Sequence, residues 1–173
     1  MSASSDMSNI ILIGMPGSGK STAGVLLAKA LGYLFEDVDL LISRKAGKPL
    51  QRILDEDGLD SFLRLEEEIG STLSADRTVI ATGGSMVLSE RAMEHLGNIG
   101  TVVYIDVPFP EIERRVTNIR TRGIAFHKNE TLSDVYAERR PLYERYADFT
   151  VKVEPGDTIE DTVDKLTSFD FYK

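Results

Sequence analysis

The stretch that decides the fold reads Gly14-Met15-Pro16-Gly17-Ser18-Gly19-Lys20-Ser21-Thr22. It follows directly on the apolar run "NIILI" at 9–13. Gly14-x4-Gly19-Lys20-Ser21 satisfies the pattern G-x-x-x-x-G-K-[ST] in full. That pattern carries meaning only between a strand and a helix. "IILI" is β-branched and wholly apolar, as a buried strand requires. "GKSTAGVLLAKAL" at 19–31 reads as a helix stopped near Gly32. In this setting the glycines let the loop bend so that several N–H groups converge on phosphate oxygens, which makes Gly14, Met15, Pro16, Gly17, Ser18, Gly19, Lys20, Ser21 and Thr22 the candidate cofactor-binding residues. The helix N-terminus adds its positive dipole end. Lys20 supplies a point charge for the β and γ phosphates, and the Ser21 hydroxyl is placed to ligate Mg²⁺. The expected ligand is a nucleoside triphosphate with Mg²⁺, ATP foremost. The alternative, a plain strand-to-helix turn of small residues, lacks a use for the lysine.

Working outward, strands and helices alternate. Further strands are expected at 33–39, 77–84, 101–107 and 148–153. Helices are expected at 40–56 (interrupted at Gly47-Lys48-Pro49), 59–75, about 110–119, 131–146 and 157–168. Leu59, Phe62, Leu63, Ile69 and Leu73 form one apolar stripe. Nearly all-apolar strands alternating with helices predict a three-layer α/β/α domain, with a central parallel sheet of about five strands. This is the P-loop NTPase fold, and a mobile lid is expected at about 118–131. Residues 9–170 read as one domain behind a polar tail at 1–8. Ligands in such sheets sit beyond the strand C-termini, which points to Gly14–Thr22, Asp37–Asp39 and Thr82–Ser85.

Composition narrows the function. The chain of 173 residues is 42% hydrophobic and 28% charged, with a net charge of -8. An acidic chain lacks the basic face that nucleic acid requires. There is no cysteine, so disulfides, thiolate metal sites and cysteine catalysis are excluded. No apolar run reaches the ~20 residues of a membrane helix. "MSASSDMS" has neither the basic segment nor the apolar core of a secretory signal. A cytoplasmic protein is expected, monomeric, with no nucleic-acid or membrane partner.

The phosphate has to go somewhere. A GTPase would carry a guanine-reading "NKxD" segment, and "HKNE" at 127–130 lacks its Asp. A kinase needs a second pocket and a cationic lid that excludes water. Arg114, Arg115, Arg120, Arg122, Arg139 and Arg140 crowd one stretch of this acidic chain. They read either as a phosphate-stabilising cluster or as a solvated, salt-bridged helix face.

"GMPGSGKST", "DVD" at 37–39, "ATGGS" at 81–85 and "ERRPLYERYAD" at 138–148 together make the chain resemble the shikimate kinase family. The resemblance covers Asn9 to about Leu166. It implies an ATP-dependent phosphotransferase acting on a hydroxyl, with Mg²⁺ as cofactor and a small-molecule acceptor, in aromatic amino acid biosynthesis. By the same resemblance Asp37 is the Mg²⁺-associated carboxylate beside Ser21. Asp39 binds the acceptor hydroxyls and takes the proton. Gly83, Gly84 and Ser85 form the turn that the acceptor approaches, Arg122 is the lid arginine, and Arg139 binds the acceptor. Arg115 and the loop Val153–Asp157, with Pro155, enclose adenine. Local readings stand beside these: Asp39 as a helix N-cap, Gly83-Gly84 and Pro155-Gly156 as ordinary turns.

The chain departs from the family at the acceptor. Where the family carries an arginine that pairs with the carboxylate of shikimate, this chain has Leu63; Arg64 is turned ~100° away. A carboxylate facing Leu63 would lack a partner. Ser85 stands in place of a third glycine. Gly123 replaces a lid proline, which predicts a looser lid, and His127 and Lys128 add polar groups there. Shikimate is therefore the family default. A polyol, a sugar acid or a hydroxy amino acid is the alternative acceptor, and a non-catalytic nucleotide-binding module is the alternative class.

Overall fold

The computed structural model describes residues 9–116 and 123–171. The tail at 1–8 and residue Arg122 lie outside them. Five strands form one sheet in the order β2-β3-β1-β4-β5: β1 Asn9–Ile13, β2 Leu34–Asp37, β3 Thr78–Ala81, β4 Gly100–Asp106 and β5 Phe149–Lys152. Every pairing is parallel, with Ile11 opposite Ile80 on one side and Val102 on the other. The five residues of β1 are all buried, as a central strand covered on both faces must be.

Among the described residues eight α-helices flank the sheet: α1 Lys20–Leu31, α2 Val38–Ala46, α3 Leu50–Asp57, α4 Leu59–Thr72, α5 Glu90–Ile99, α6 Phe109–Arg115, α7 Leu132–Tyr146 and α8 Ile159–Thr167. α1 packs with α8, while α4 packs with α5, and α5 and α7 lie against β4. Right-handed crossovers put these two groups on opposite faces of the sheet. Asn9 pins the start of β1. Its Nδ2 donates to the carbonyls of Ala75 and Ile99, both at 2.8 Å, and its Oδ1 accepts from the Thr78 N–H at 3.1 Å.

Two elements differ from the sequence-based expectation. The second strand was expected over 33–39 but ends at Asp37, because the Asp37 carboxylate accepts the Asp39 N–H at 2.9 Å and caps α2. The third strand runs over Thr78–Ala81 and passes into the glycine turn expected at the end of 77–84. α5 was not expected at all. It starts where the Ser89 hydroxyl accepts the Ala92 N–H, and it buries Ala92, Met93 and Leu96.

Candidate active site

The phosphate loop joins β1 to α1. Gly14 has φ 151°, and a Cβ there would stand 2.8 Å from the Ile105 carbonyl oxygen, so no other residue fits this turn. Gly14, Met15 and Ser18 are buried in the loop. Lys20 is buried too, and its ammonium donates to the carbonyls of Gly14 and Met15 at 2.8 Å and to Ser18 Oγ at 3.3 Å. Burial lowers its pKa to about 8, with Asp39 and Asp37 opposing. The Ser21 hydroxyl donates to Asp37 Oδ2 at 2.7 Å, so a strand end and a helix start bring together the two residues expected at Mg²⁺. Their hard oxygen donors suit that ion, which keeps most of its waters and takes the rest of its shell from phosphates.

A cavity of about 210 Å³ opens in front of this loop. Pro16, Gly17, Gly19, Lys20, Ser21 and Thr22 form its donor wall. The opposite wall is assembled from four places: Asp39 on α2, Phe62 and Glu66 on α4, Thr82–Ser85 after β3, and Arg139 on α7. Gly123, Ile124 and Ala125 complete it. The Thr82 hydroxyl and N–H both donate to the Leu12 carbonyl, at 2.9 and 3.1 Å, which fixes the turn after β3 beside the end of β1. A Cβ on Gly84 would stand 2.6 Å from Pro16 Cδ, so the turn rests directly on the phosphate loop. The Tyr143 hydroxyl donates to the Gly84 carbonyl at 2.6 Å and braces that turn from α7.

The acceptor side is electrostatically unusual. Burial, with Asp37 beside it, pushes the Asp39 carboxyl up to about 6 against the pull of Lys20. Asp39 does not cap its helix, which Asp37 does, so its carboxylate is free to face Gly83. Burial pushes Glu66 up to about 7, while the hydrogen bond from Ser85 holds it down. Glu66 Oε1 accepts the Ser85 hydroxyl at 2.7 Å; Oε2 is buried without a partner among the described residues. Arg139 is 2% exposed. Its Nη2 donates to the Ala125 carbonyl, and its Nε and Nη1 have no partner among the described residues. Perturbed, buried titratable groups gathered round one cavity mark a functional site.

Not every expected residue reaches the cavity. Leu63 packs against the core and lines a second pocket of about 160 Å³ with Arg64, Glu67, Leu88 and Ser89. Glu66 and Ser85 line both pockets and stand between Leu63 and the phosphate loop. Arg64 is exposed, with Ser61 Oγ at 3.4 Å from its Nη2. Arg115 lies at the outer edge of the phosphate loop, where its Nη1 donates to the Gly17 carbonyl at 3.3 Å. Pro155 is exposed in the turn after β5. That turn leads into α8, whose Ile159 abuts Gly19.

The four described arginines of the cluster do not converge on one point, and Arg120 and Arg122 lie outside the described residues. Arg114 and Arg140 pair with Glu111 and Glu144 in the solvent, and Arg114, with Arg115, holds the Glu111 carboxyl down at about 2. Arg139 alone of the described four enters the cavity. Gly123, at φ 67°, donates its N–H to Gln51 Oε1 at 3.0 Å and lies against Leu50. A proline could supply neither that φ nor that hydrogen. His127 is exposed. Glu66 escaped the sequence reading altogether, although Phe62, Glu66 and Ile69 fall on the buried stripe of α4 and a carboxylate on such a stripe is itself a signal.

The comparisons with known proteins agree with this geometry. A family profile described as shikimate kinase matches residues 16–169. The chain is 36% identical to a shikimate kinase of Chlorobium chlorochromatii, over 92% of this chain and 91% of that one. It is 38% identical to one of Mycobacterium avium, over 92% and 94%. A solved shikimate kinase of Acinetobacter baumannii in complex with shikimate superposes with a TM-score of 0.85 at 31% identity, covering 93% of this chain and 91% of that one. A Sinorhizobium meliloti gluconokinase, at 18% identity and a TM-score of 0.53, shares the fold. With a buried phosphate loop, an acidic and cationic acceptor wall facing it, and relatives of this likeness over nearly its whole length, the chain belongs to the shikimate kinase family, ATP- and Mg²⁺-dependent phosphotransferases that act on a hydroxyl.

Proposed function

We propose that this chain transfers the γ-phosphoryl group of ATP to a hydroxyl of shikimate, giving shikimate 3-phosphate. The observation that carries the reading is one cavity with Lys20 on its donor wall and Asp39 and Arg139 on the facing one. The acceptor hydroxyl oxygen attacks the γ-phosphorus, the bond to the β-phosphate oxygen breaks, and ADP leaves. Asp39 orients the hydroxyl and accepts its proton; a carboxyl near 6 suits a base working close to neutral pH. Lys20 and the loop N–H groups stabilise charge on the transferred group. Arg139, with two nitrogens unengaged, binds the acceptor's carboxylate. Ser21 and Asp37 would hold Mg²⁺, which neutralises the β and γ phosphates. Arg115 borders the nucleotide, and Pro155 lies on the adenine side. The protein works as a cytoplasmic monomer without nucleic-acid or membrane partners; no helix among the described residues is long and apolar enough to cross a membrane.

A second reading keeps the reaction and changes the acceptor to another polyhydroxy acid. Leu63, at the position where the family resemblance expects an arginine, and the unpartnered Glu66 Oε2 favour it. Both readings are tested by ADP release across shikimate, polyols, sugar acids, hydroxy amino acids and nucleosides. Shikimate is expected to give the largest kcat/KM. Turnover with another compound but not with shikimate would select the second reading, and no stimulation by any acceptor would indicate a non-catalytic module.

A further inference from the structure

We propose that Ser85 sets the acceptor specificity of this site as a positioning residue, by holding Glu66 so that its Oε2 offers a fixed hydrogen-bonding atom to an acceptor hydroxyl. The inference rests on the proposed function, since it concerns how the same cavity reads its acceptor. Ser85 and Glu66 both line the cavity, and both are buried, at 4% and 2% exposure. The Ser85 hydroxyl hydrogen goes to Glu66 Oε1 at 2.7 Å. With that oxygen engaged, Oε2 lies on the Gly83 side. A Cβ on Gly83 would stand 2.6 Å from Oε2 and 3.0 Å from Asp39 Oδ1. The two carboxylates therefore flank one glycine, and Glu66 extends the hydroxyl-binding surface that Asp39 begins.

A buried carboxyl oxygen without a partner costs stability. It is retained at little cost only when a ligand donates to it. The groups that face Glu66 are Asp39 from α2, Lys20 from α1, Arg139 from α7 and Ser85 from the turn after β3. Only Ser85 among the described residues donates a hydrogen bond to it. On its own helix the neighbouring position is Leu63, which offers no hydrogen. A neutral hydroxyl thus orients the carboxyl in this chain, and leaves one of its oxygens for the acceptor.

The test is a double-mutant cycle on the full chain: wild type, Ser85→Ala, Glu66→Met (which leaves Ser85 no side-chain oxygen to donate to) and the double variant, assayed with varied acceptor at saturating ATP. Ser85→Ala is expected to raise the acceptor KM roughly ten-fold, with the ATP KM within about two-fold. In the Glu66→Met background, where Ser85 has no carboxyl to hold, it is expected to add almost nothing. Equal effects in both backgrounds, or an effect on ATP KM alone, would overturn the inference. A second readout needs no acceptor. Ser85 holds the Glu66 titration down, so in Ser85→Ala the Glu66 carboxyl, followed by carbon NMR, is expected to titrate at higher pH. An unchanged midpoint overturns the inference whichever acceptor is used. Should Ser85→Ala unfold, Ser85→Gly serves in its place. If the wild type uses an acceptor other than shikimate, the proposed acceptor fails, and the cycle run with the true acceptor still decides the role of Ser85.

Discussion

The two walls of the cavity are built on opposite plans. On the donor wall the polar side chains are already engaged: Lys20 on Gly14, Met15 and Ser18, Ser21 on Asp37, Arg115 on Gly17 and Glu111. On the facing wall Glu66 Oε2 and Arg139 Nε and Nη1 are buried without a hydrogen-bond partner among the described residues. A triphosphate is recognised by a loop backbone and its one lysine, so a local segment can be complete in itself. On the proposed reading the acceptor meets side chains from α2, α4 and α7 and from a turn, and completes their hydrogen bonds.

Variants can break this contrast. The largest effect is expected at the reacting centre. Lys20→Met and Asp39→Asn should each lower kcat by roughly 10³-fold or more, measured as ADP release, with the unfolding midpoint retained. Full activity in Asp39→Asn would remove it from the proton transfer. Next comes Arg139→Met, expected to raise the acceptor KM about 100-fold, the scale of a lost charged hydrogen-bond partner. Because two of its nitrogens are unpaired in the free protein, the same change should cost little stability. A large drop in thermal midpoint would mean that Arg139 is a structural strut.

The third effect is a pH slope. The Glu66 carboxyl titrates at about 7 in the folded chain against an ordinary 4.5. Between these values the folded chain keeps a proton that the unfolded chain has lost. Stability from this group is therefore full below the ordinary value and declines as pH rises through the folded one. Glu66→Gln removes the decline, and relative to wild type should gain ~1–2 kcal/mol between acid and mildly alkaline pH, read by denaturant unfolding. A parallel pair of curves would show that Glu66 is not held protonated. The smallest effect is expected for Arg115→Ala. Among the described residues its hydrogen bond to the loop is that to the Gly17 carbonyl at 3.3 Å, so ATP KM should rise only about three-fold.

The same contrast governs what the sequence disclosed. The donor wall was legible because Gly14–Thr22 is contiguous and its spacing is the geometry. The parallel sheet was legible because buried strands such as Ile10–Ile13 are apolar at every position. α5 was missed because "SERAMEHLGNIG" shows only a short apolar face, Ala92, Met93 and Leu96, between two strong strands. Glu66 was missed because it is one of three consecutive glutamates, and only packing shows which one turns inward. Leu63 and Ser85 could be singled out as departures, but not how they relate. Ser85 and Glu66 are 19 positions apart and meet only once β3 has delivered its turn beside α4.

The seating of Gly84 on Pro16 has a practical consequence for ligand design. The turn and the loop proposed to receive the two substrates share a van der Waals surface, leaving no spacer between them. A bisubstrate inhibitor that joins a polyphosphate chain to a hydroxylated ring therefore needs only a very short tether. Any bulk introduced at Gly84 should defeat such a compound before it affects either half of the molecule bound alone.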